Sequence, residues 1–506
     1  MTDIVLSFPL FCIILSLLCA AVSSVLKGRQ ARTVTMCLTG AVAAMNCVLL
    51  VHNLGLTEPV TFAMGHFPAP WGNEISFGII EPLLSAVFSS VIFLSILGGS
   101  EELKEDIDGD RLNLYFLMLD LVQVAMLALI YTNDLFTGYV FIEICTLSSC
   151  GILIIRQAGR TTLAAVRYMI FNLVGSGLFL LSVILLYQIT GHLLMPDLKE
   201  AVVRIWSTGE YRVPLLASVC LMTMGLSIKS GLFPFHFWMP DTYGYSTPTS
   251  ASVLSGVISK GYICLFIRII FKVIGTDVFY ASGAHNIVFV LGLAGMIVGS
   301  LSAIKENDIC RMTALSSAAQ IGYIFMGIGL SPGLGIAAAV FHIIFHAVTK
   351  PLLFISAARL RAVSGGSRRF KDLQGAGHRA PLAGIGFTVG AFSMVGVPLF
   401  AGFVAKYLFA DAAFRTLPRG IPVLLVLAVS TVLNIFYFLR TVIRIYTKPE
   451  AEYGEARSSS GGLTRFTVSD VCYTVSTVCY LAVNFILGIN PQPVINLIEK
   501  GLALLG

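Results

Sequence analysis

Four lysines stand where a lysine is costly. Lys229, Lys260, Lys350 and Lys406 each lie inside a long, otherwise apolar stretch. A charge at the middle of a bilayer costs ~2.5–3.5 kcal/mol even on the lower insertion scales. In "FHIIFHAVTKPLLF", His342, His346 and Lys350 recur at i, i+4 and i+8. One face of a helix would therefore carry three titratable groups, each a turn from the next. Glu143 in "YVFIEICTLSS" adds a carboxylate at depth, and Glu81 in "FGIIEPLLS" and Asp120 in "LMLDLVQ" are two more. In a low-dielectric interior an ammonium and a carboxylate stabilise each other's charge, and when they part desolvation favours both neutral forms. These residue types at these spacings offer proton transfer rather than bond-making. The competing readings are structural: a fixed ion pair at Glu143, one hydrogen-bonded histidine with its neighbours idle, a snorkelling Lys260. A pair kept only for packing is often replaceable by apolar residues. Lys260 lies about eleven residues into its segment, near mid-membrane, which argues against snorkelling. A metal at the two histidines lacks a third ligand nearby.

Membrane-crossing helices must position these groups. The chain has 506 residues, 56% hydrophobic and only 12% charged, with mean hydropathy +0.86. Soluble domains carry roughly twice that charge. The apolar residues collect in blocks of about 20, the length of a helix across a bilayer core. The short alternating strands of a barrel are not seen. The fold class is an all-α polytopic membrane protein. Fourteen spans are predicted: 4–26, 33–52, 77–98, 112–131, 134–155, 163–187, 213–236, 249–271, 285–303, 310–330, 337–358, 381–409, 421–443 and 469–490. One set of alternate loops holds 19 basic residues, Arg457 and Arg465 among them, and the other holds 7, Lys272 among them. That bias places the first set in the cytoplasm and both termini on the outer side of the cell membrane. The net charge of +6 is thus a topology signal and not a nucleic-acid footprint. Arg167, Arg268 and Arg440, at span edges, are expected to snorkel. The 11 cysteines include no CxxC pair and read as small core hydrophobes, with no zinc or iron–sulfur pattern. The first apolar run has no preceding Lys or Arg and reads as a retained helix, not a signal peptide.

Two spans carry breaks. Pro234 follows Lys229 by five residues in "GLSIKSGLFPFHFWMPD", and Pro398 precedes Lys406 in "SMVGVPLFAGFVAK". Proline removes an intrahelical hydrogen bond, so each break would free carbonyls and room for water beside a lysine. Discontinuous helices in corresponding positions mark internal repeats of transporters. The two spans are five apart, and five is odd, so two five-helix units in series would be inverted. This predicts an N-terminal three-helix segment at 1–111, a first repeat at 112–271, a second inverted repeat at 285–443, and a cytoplasmic loop with a last helix at 444–506. Supporting polar side chains are Ser227, Ser230, Ser316, Ser317, Gln320 and His236. Singly each could be packing glue; together they could hold a file of water.

Several long motifs then agree in order. The segment 225–262, with "NDLFTGYVFIEICTLSSC", "NDICRMTALSSAAQIGYI", "FHIIFHAVTKPLLF" and "GVPLFAGFVAKYL", resembles the proton-conducting subunits of respiratory complex I. It is similar also to multisubunit sodium/proton antiporters of D type and to membrane-bound hydrogenases. The resemblance covers most of 75–445. It implies that Glu143 pairs with Lys229, that Lys260 connects toward His342 or His346, and that Lys406 ends the path. It implies no redox cofactor, and protons entering from the cytoplasm and leaving outside. The partners implied are other integral membrane subunits and lipid. Three positions depart from the pattern: Gln320 where relatives often have histidine, Lys406 where some branches use glutamate, and Arg167 where many have lysine. The end "PQPVINLIEKGLALLG" is too short for the lateral helix of the longest subunit type. The resulting expectation is a non-catalytic, proton-translocating subunit of a multisubunit respiratory or antiporter complex. The alternatives are sodium translocation through the same axis and a structural anchor for a redox module. A solute symporter would want unwound glycine-rich sites instead.

Overall fold

In hydrocarbon a backbone must satisfy its own polar groups, and a continuous apolar run does so as a helix. The computed structural model describes residues 2–64, 67, 72–448 and 467–506. The expected loop residues Arg457 and Arg465 lie outside the described residues. Among the described residues, twelve helical segments are long and apolar enough to cross a membrane. The chain is a polytopic, all-α membrane protein, with one short antiparallel strand pair, β1 (Val60–Ala63) and β2 (Glu74–Phe77), among the described residues.

The helices are α1 (Phe8–Val25), α2 (Gly28–His52), α3 (Ile80–Gly98), α4 (Leu112–Tyr131), α5 (Leu135–Ile154) and α6 (Gly159–Thr190). A shorter amphipathic helix, α7 (Met195–Thr208), buries Leu198, Ala201, Val202 and Ile205 on one face. Then come α8 (Arg212–Ser230), α9 (Met239–Tyr245), α10 (Pro248–Val253), α11 (Ser259–Ile269), α12 (Ala284–Lys305), α13 (Ile309–Leu330) and α14 (Leu334–Ala362). The last are α15 (Pro381–Val395), α16 (Ala401–Arg415), α17 (Gly420–Tyr446), α18 (Val468–Ile489) and α19 (Gln492–Leu505). Side chains cap several starts where loops re-enter helices. Asp134 accepts from the Thr137 amide, and Asp308 accepts from the amides of Cys310 and Arg311.

Two segments predicted as single spans are divided. The run 249–271 consists of α10 and α11 joined by a π-turn at Leu254–Ile258, with a second π-turn at Ile270–Ile274. The run 381–409 is split into α15 and α16. Helix α8 also stops, at Ser230, before a link of one 3₁₀ turn leads into α9. The prolines do not make the stops themselves. Gly231 takes φ +77° and Gly396 takes φ +88°, a left-handed conformation that glycine reaches at no steric cost. At Gly231 the amide bonds Ile228 O and the next amide bonds Ser227 O. At Gly396 the amide bonds Ser393 O and the next amide bonds Phe392 O. This is one capping arrangement used twice. Pro234 and Pro398 sit within the links that follow.

Burial grades from the centre outward. Helices α13 and α14 are enclosed along their whole spanning length, whereas α1, α2, α17 and α18 turn most of their surface outward. Helices α12 and α13 approach backbone to backbone; a Cβ on Gly322 would meet Gly292 O at 2.7 Å. Small residues at such crossings let helices pack where no water drives them together.

Candidate functional site

Lys229 lies in the last turn of α8, fully buried. The carbonyl end of a helix favours a cation there. Its ammonium donates to Thr146 Oγ1 at 2.7 Å and lies 5.3 Å from the Tyr262 ring centroid. Glu143, one turn before Thr146 on α5, is half-buried. It is close enough to Lys229 to act on it electrostatically, yet no ion pair among the described residues joins the two. The implied Glu143–Lys229 pair is therefore open here, with the threonine hydroxyl in the carboxylate's place. Ser230 Oγ donates to Leu226 O, while the buried hydroxyls of Ser227 and Thr223 have no hydrogen-bond partner in the protein.

The second cluster runs through the centre. Lys260 donates to Ser255 O within the π-turn and to Ser259 Oγ at 3.2 Å. Ser255 Oγ meets Ser317 Oγ at 3.0 Å. Lys350 donates to Thr313 O at 2.8 Å and to Ser316 Oγ. His346 and His342 follow on the same face of α14, their ring centroids 6.3 Å apart. All four of their ring nitrogens are buried without a protein partner, as are both amide atoms of Gln320. Tyr323 stacks on His342 at 5.4 Å, and the Lys406 ammonium lies 5.8 Å from the same tyrosine ring. Lys406 donates to Val395 O at 2.6 Å and to Thr431 Oγ1 at 2.8 Å. Val395 ends α15, so the ammonium meets a carbonyl that has no partner within its helix. Lys260 is close enough to act electrostatically on His342, His346 and Lys350.

Two local irregularities face each other beside this row. Pro351 in α14 has no N–H to give Ala347 O. The π-turn packs Gly256 against that carbonyl, where a Cβ would lie 3.1 Å from it. The backbone is thus loosened on both helices between Lys260 and Lys350.

Some expectations change. Arg268 does not snorkel. It is nearly fully buried and donates to Glu81 Oε1 at 2.6 Å, to Thr132 O at 2.8 Å and to Ser76 O at 2.7 Å. Lys272 is buried in the second π-turn, not loose in a loop, and donates to Ser76 Oγ at 2.7 Å. The signal was present: Lys260, Cys264, Arg268 and Lys272 recur every four residues on one helix face, as the α14 residues do. Arg167 is exposed and pairs with Asp241 at 2.6 Å, and Arg440 reaches the end of α12 through Ile304 O at 2.9 Å. His236 is buried, with its ring stacked on Phe237 at 4.7 Å, apart from the row. Sequence reasoning missed Thr146, Ser255, Tyr323 and Thr431. Thr146 and Tyr323 each lie one turn beyond a residue it did single out, Glu143 and Gln320.

A family model described as "NADH:quinone oxidoreductase/Mrp antiporter, TM" matches residues 132–433. The chain belongs to this family. The matched region of the oxidoreductase/antiporter family includes Glu143, all four lysines and both histidines, and excludes Asp120. The chain is 32% identical over 473 residues to an NADH-quinone oxidoreductase subunit N from Desulforudis audaxviator (strain MP104C), covering 91% of each. It is 27% identical over 365 residues to the D-type subunit of a Na(+)/H(+) antiporter from Alkalihalophilus pseudofirmus, covering 72% of this chain and 71% of that protein. Its fold is similar to a chain of the membrane-bound sulfane sulfur reductase, an archaeal respiratory membrane complex. There the TM-score is 0.86 at 24% identity, over 98% of this chain and 97% of that one. The resemblance carried by the sequence motifs is thereby confirmed.

Proposed function

We propose that the chain is the proton-translocating subunit of a multisubunit respiratory or antiporter-like membrane complex. One observation carries the reading. Lys260, Lys350, His346, His342, Tyr323 and Lys406 form a row centred on α13 and α14, the two helices enclosed along their spanning length, with Lys406 reaching it half-buried from α16. Beside that row, His342, His346 and Gln320 keep six polar atoms without a protein partner. Each such atom costs about 1–3 kcal/mol if left unmet, and water with two to four polar contacts is the usual remedy. Protons would move along the titratable groups and that water. Lys229 would alternate between Thr146 and Glu143, and so open or close the entry to the row. The chain's own residues supply no redox chemistry in this scheme; other integral membrane subunits and lipid complete the assembly.

The two divided segments also cross the membrane in this reading, which makes fourteen spans. The repeated cap at Gly231 and Gly396 supports two inverted five-helix units, 112–271 and 285–443, flanked by 1–111 and 444–506. Both termini face the outside, and protons enter from the cytoplasm. Sodium translocation is the second reading, favoured by the similarity to a sodium/proton antiporter of D type. Against it, a lysine-rich row is poorly suited to a bare cation.

The test is proton uptake by vesicles that hold the intact complex, with Lys260→Ala and Lys406→Ala in this chain. A fall of at least tenfold with assembly unchanged is expected. Unchanged uptake in both variants sinks the reading. Uptake that fails without sodium moves the case to the antiporter alternative.

A further inference from the structure

The acids inside the bundle differ in what neutralises them. Glu81 has Arg268 at 2.6 Å. Asp120, on α4, is fully buried and takes part in no ion pair among the described residues. Its Oδ2 accepts a hydrogen bond from the Ser23 hydroxyl on α1 at 2.8 Å. Its Oδ1 has no hydrogen-bond partner. From α2 the Thr35 side chain faces the carboxyl, and its fully buried hydroxyl has no other partner. The Cys19 thiol on α1 lies near enough for the Asp120 charge to act on it. Arg32 stands one turn before Thr35 without pairing to Asp120. Helices α3, α5 and α11 pack on α4 as well. Their charged groups are Lys260 of the row, the paired Glu81 and Arg268, and Glu143, which acts on Lys229.

We infer that Asp120 is a proton-binding site in its own right, outside the row, at the junction of α1, α2 and α4. A carboxylate sealed in this junction would lack a counter-charge, and effective penalties for such an ion reach several kcal/mol. A proton removes the charge. The resulting Oδ1–H has an acceptor ready in the Thr35 hydroxyl, and Ser23 continues to donate to Oδ2. The Thr35 hydroxyl can serve either form of the carboxyl, as donor or acceptor, so it is the missing counter-charge that favours the proton. A hard cation fits less well, because such ions take about six oxygen ligands, and among the described residues the side-chain oxygens that interact with this carboxyl are those of Ser23 and Thr35. The site goes beyond the proposed path: it involves none of the row's residues. Losing its proton would place a bare charge between α1, α2 and α4, so protonation holds this junction closed.

Infrared difference spectroscopy of the full chain, purified in its complex, tests this without reference to transport. A protonated-carboxyl stretch is expected at neutral pH, absent in Asp120→Asn. Ser23→Ala should move it to higher frequency, because one donor to Oδ2 is lost. A hydrophobic carbodiimide should modify Asp120, with the adduct located by mass spectrometry and its yield falling as pH rises. Should Asp120→Asn fail to assemble, the Ser23→Ala shift and the adduct decide. The inference is overturned if the stretch is the same in wild type, Asp120→Asn and Ser23→Ala. It is also overturned if sodium at constant pH abolishes the stretch, which would make the site a cation site. Loss of uptake in Lys406→Ala leaves the stretch in place, so the two proposals fail separately.

Discussion

At the scale of single residues, each of the four lysines inside the apolar segments is held by an oxygen acceptor without a full negative charge. Lys229 has a threonine hydroxyl, and Lys260, Lys350 and Lys406 have backbone carbonyls. Such partners hold an ammonium without locking it, as a 2.6 Å carboxylate would. A hydrogen bond to a charged group contributes ~1.5–3 kcal/mol. Thr146→Val should therefore slow proton uptake by about tenfold in vesicles of the intact complex, and Thr146→Ser should restore most of it. The ring of Tyr323 matters differently from its hydroxyl, which donates to Ser430 Oγ at 3.0 Å and not to a titratable group. Tyr323→Phe should keep uptake within about twofold, and Tyr323→Leu should lose far more, since the aromatic surface between Lys406 and His342 goes with it. The lysines and histidines were legible in the sequence because a charge in an apolar run has no local excuse. Their partners were not, because Thr146 lies 83 positions from Lys229 and Ser316 lies 34 from Lys350.

At the scale of elements, the proposed path depends on where helices stop. Gly231 and Gly396 take positive φ, so a Cβ at either costs ~1–2 kcal/mol. Gly231→Ala and Gly396→Ala should each lower the thermal midpoint in detergent, by similar amounts if the two caps are equivalent. At Gly396 the added methyl would also meet the Lys406 side chain at 2.8 Å, so that variant should lose transport as well. The short helix Glu102–Asp106 between α3 and α4 offers a pH test. Burial pushes the Glu102 carboxyl above the usual carboxylate range, opposed by its own backbone hydrogen bond and by Arg359. A raised folded-state pKa means that the folded chain binds this proton more tightly than the unfolded one. Stability then falls as pH rises from the ordinary glutamate value through the raised one. Melting curves should show that loss in the wild type, and Glu102→Gln should remove this contribution. The prolines signalled that two spans are interrupted; the place of the stop was set by glycines, since only a left-handed residue closes both capping hydrogen bonds.

At the scale of the molecule, one buried ion pair ties three regions together. Arg268 on α11 joins Glu81 on α3 to the carbonyls of Thr132 and Ser76. Removing one partner from a buried pair typically costs ~3–5 kcal/mol, because the other charge is left uncompensated. Arg268→Met should sharply reduce the yield of folded protein and its melting temperature. Adding Glu81→Gln should recover part of the loss, as a double-mutant cycle would measure. If the single variant melts like the wild type, the pair is not structural. The sequence reading assigned Arg268 to an interface because snorkelling is the common fate of an arginine near a span end. Nothing local to 260–274 reveals that Glu81, 187 positions earlier, folds onto it.

The sequence by itself determined that this is a polytopic helical membrane protein and which side chains carry charge into its interior. Both follow from local quantities: the length of apolar runs, the cost of a charge in hydrocarbon, and the i, i+4 repeat of a helix face. The tertiary structure alone decided which acceptor each ammonium meets, that Glu143 and Lys229 stand apart, that Tyr323 bridges Lys406 to His342, and that Asp120 has no counter-charge. Those outcomes depend on contacts between helices distant in sequence, and a helix's own pattern of residues says which face is polar without saying what that face will meet.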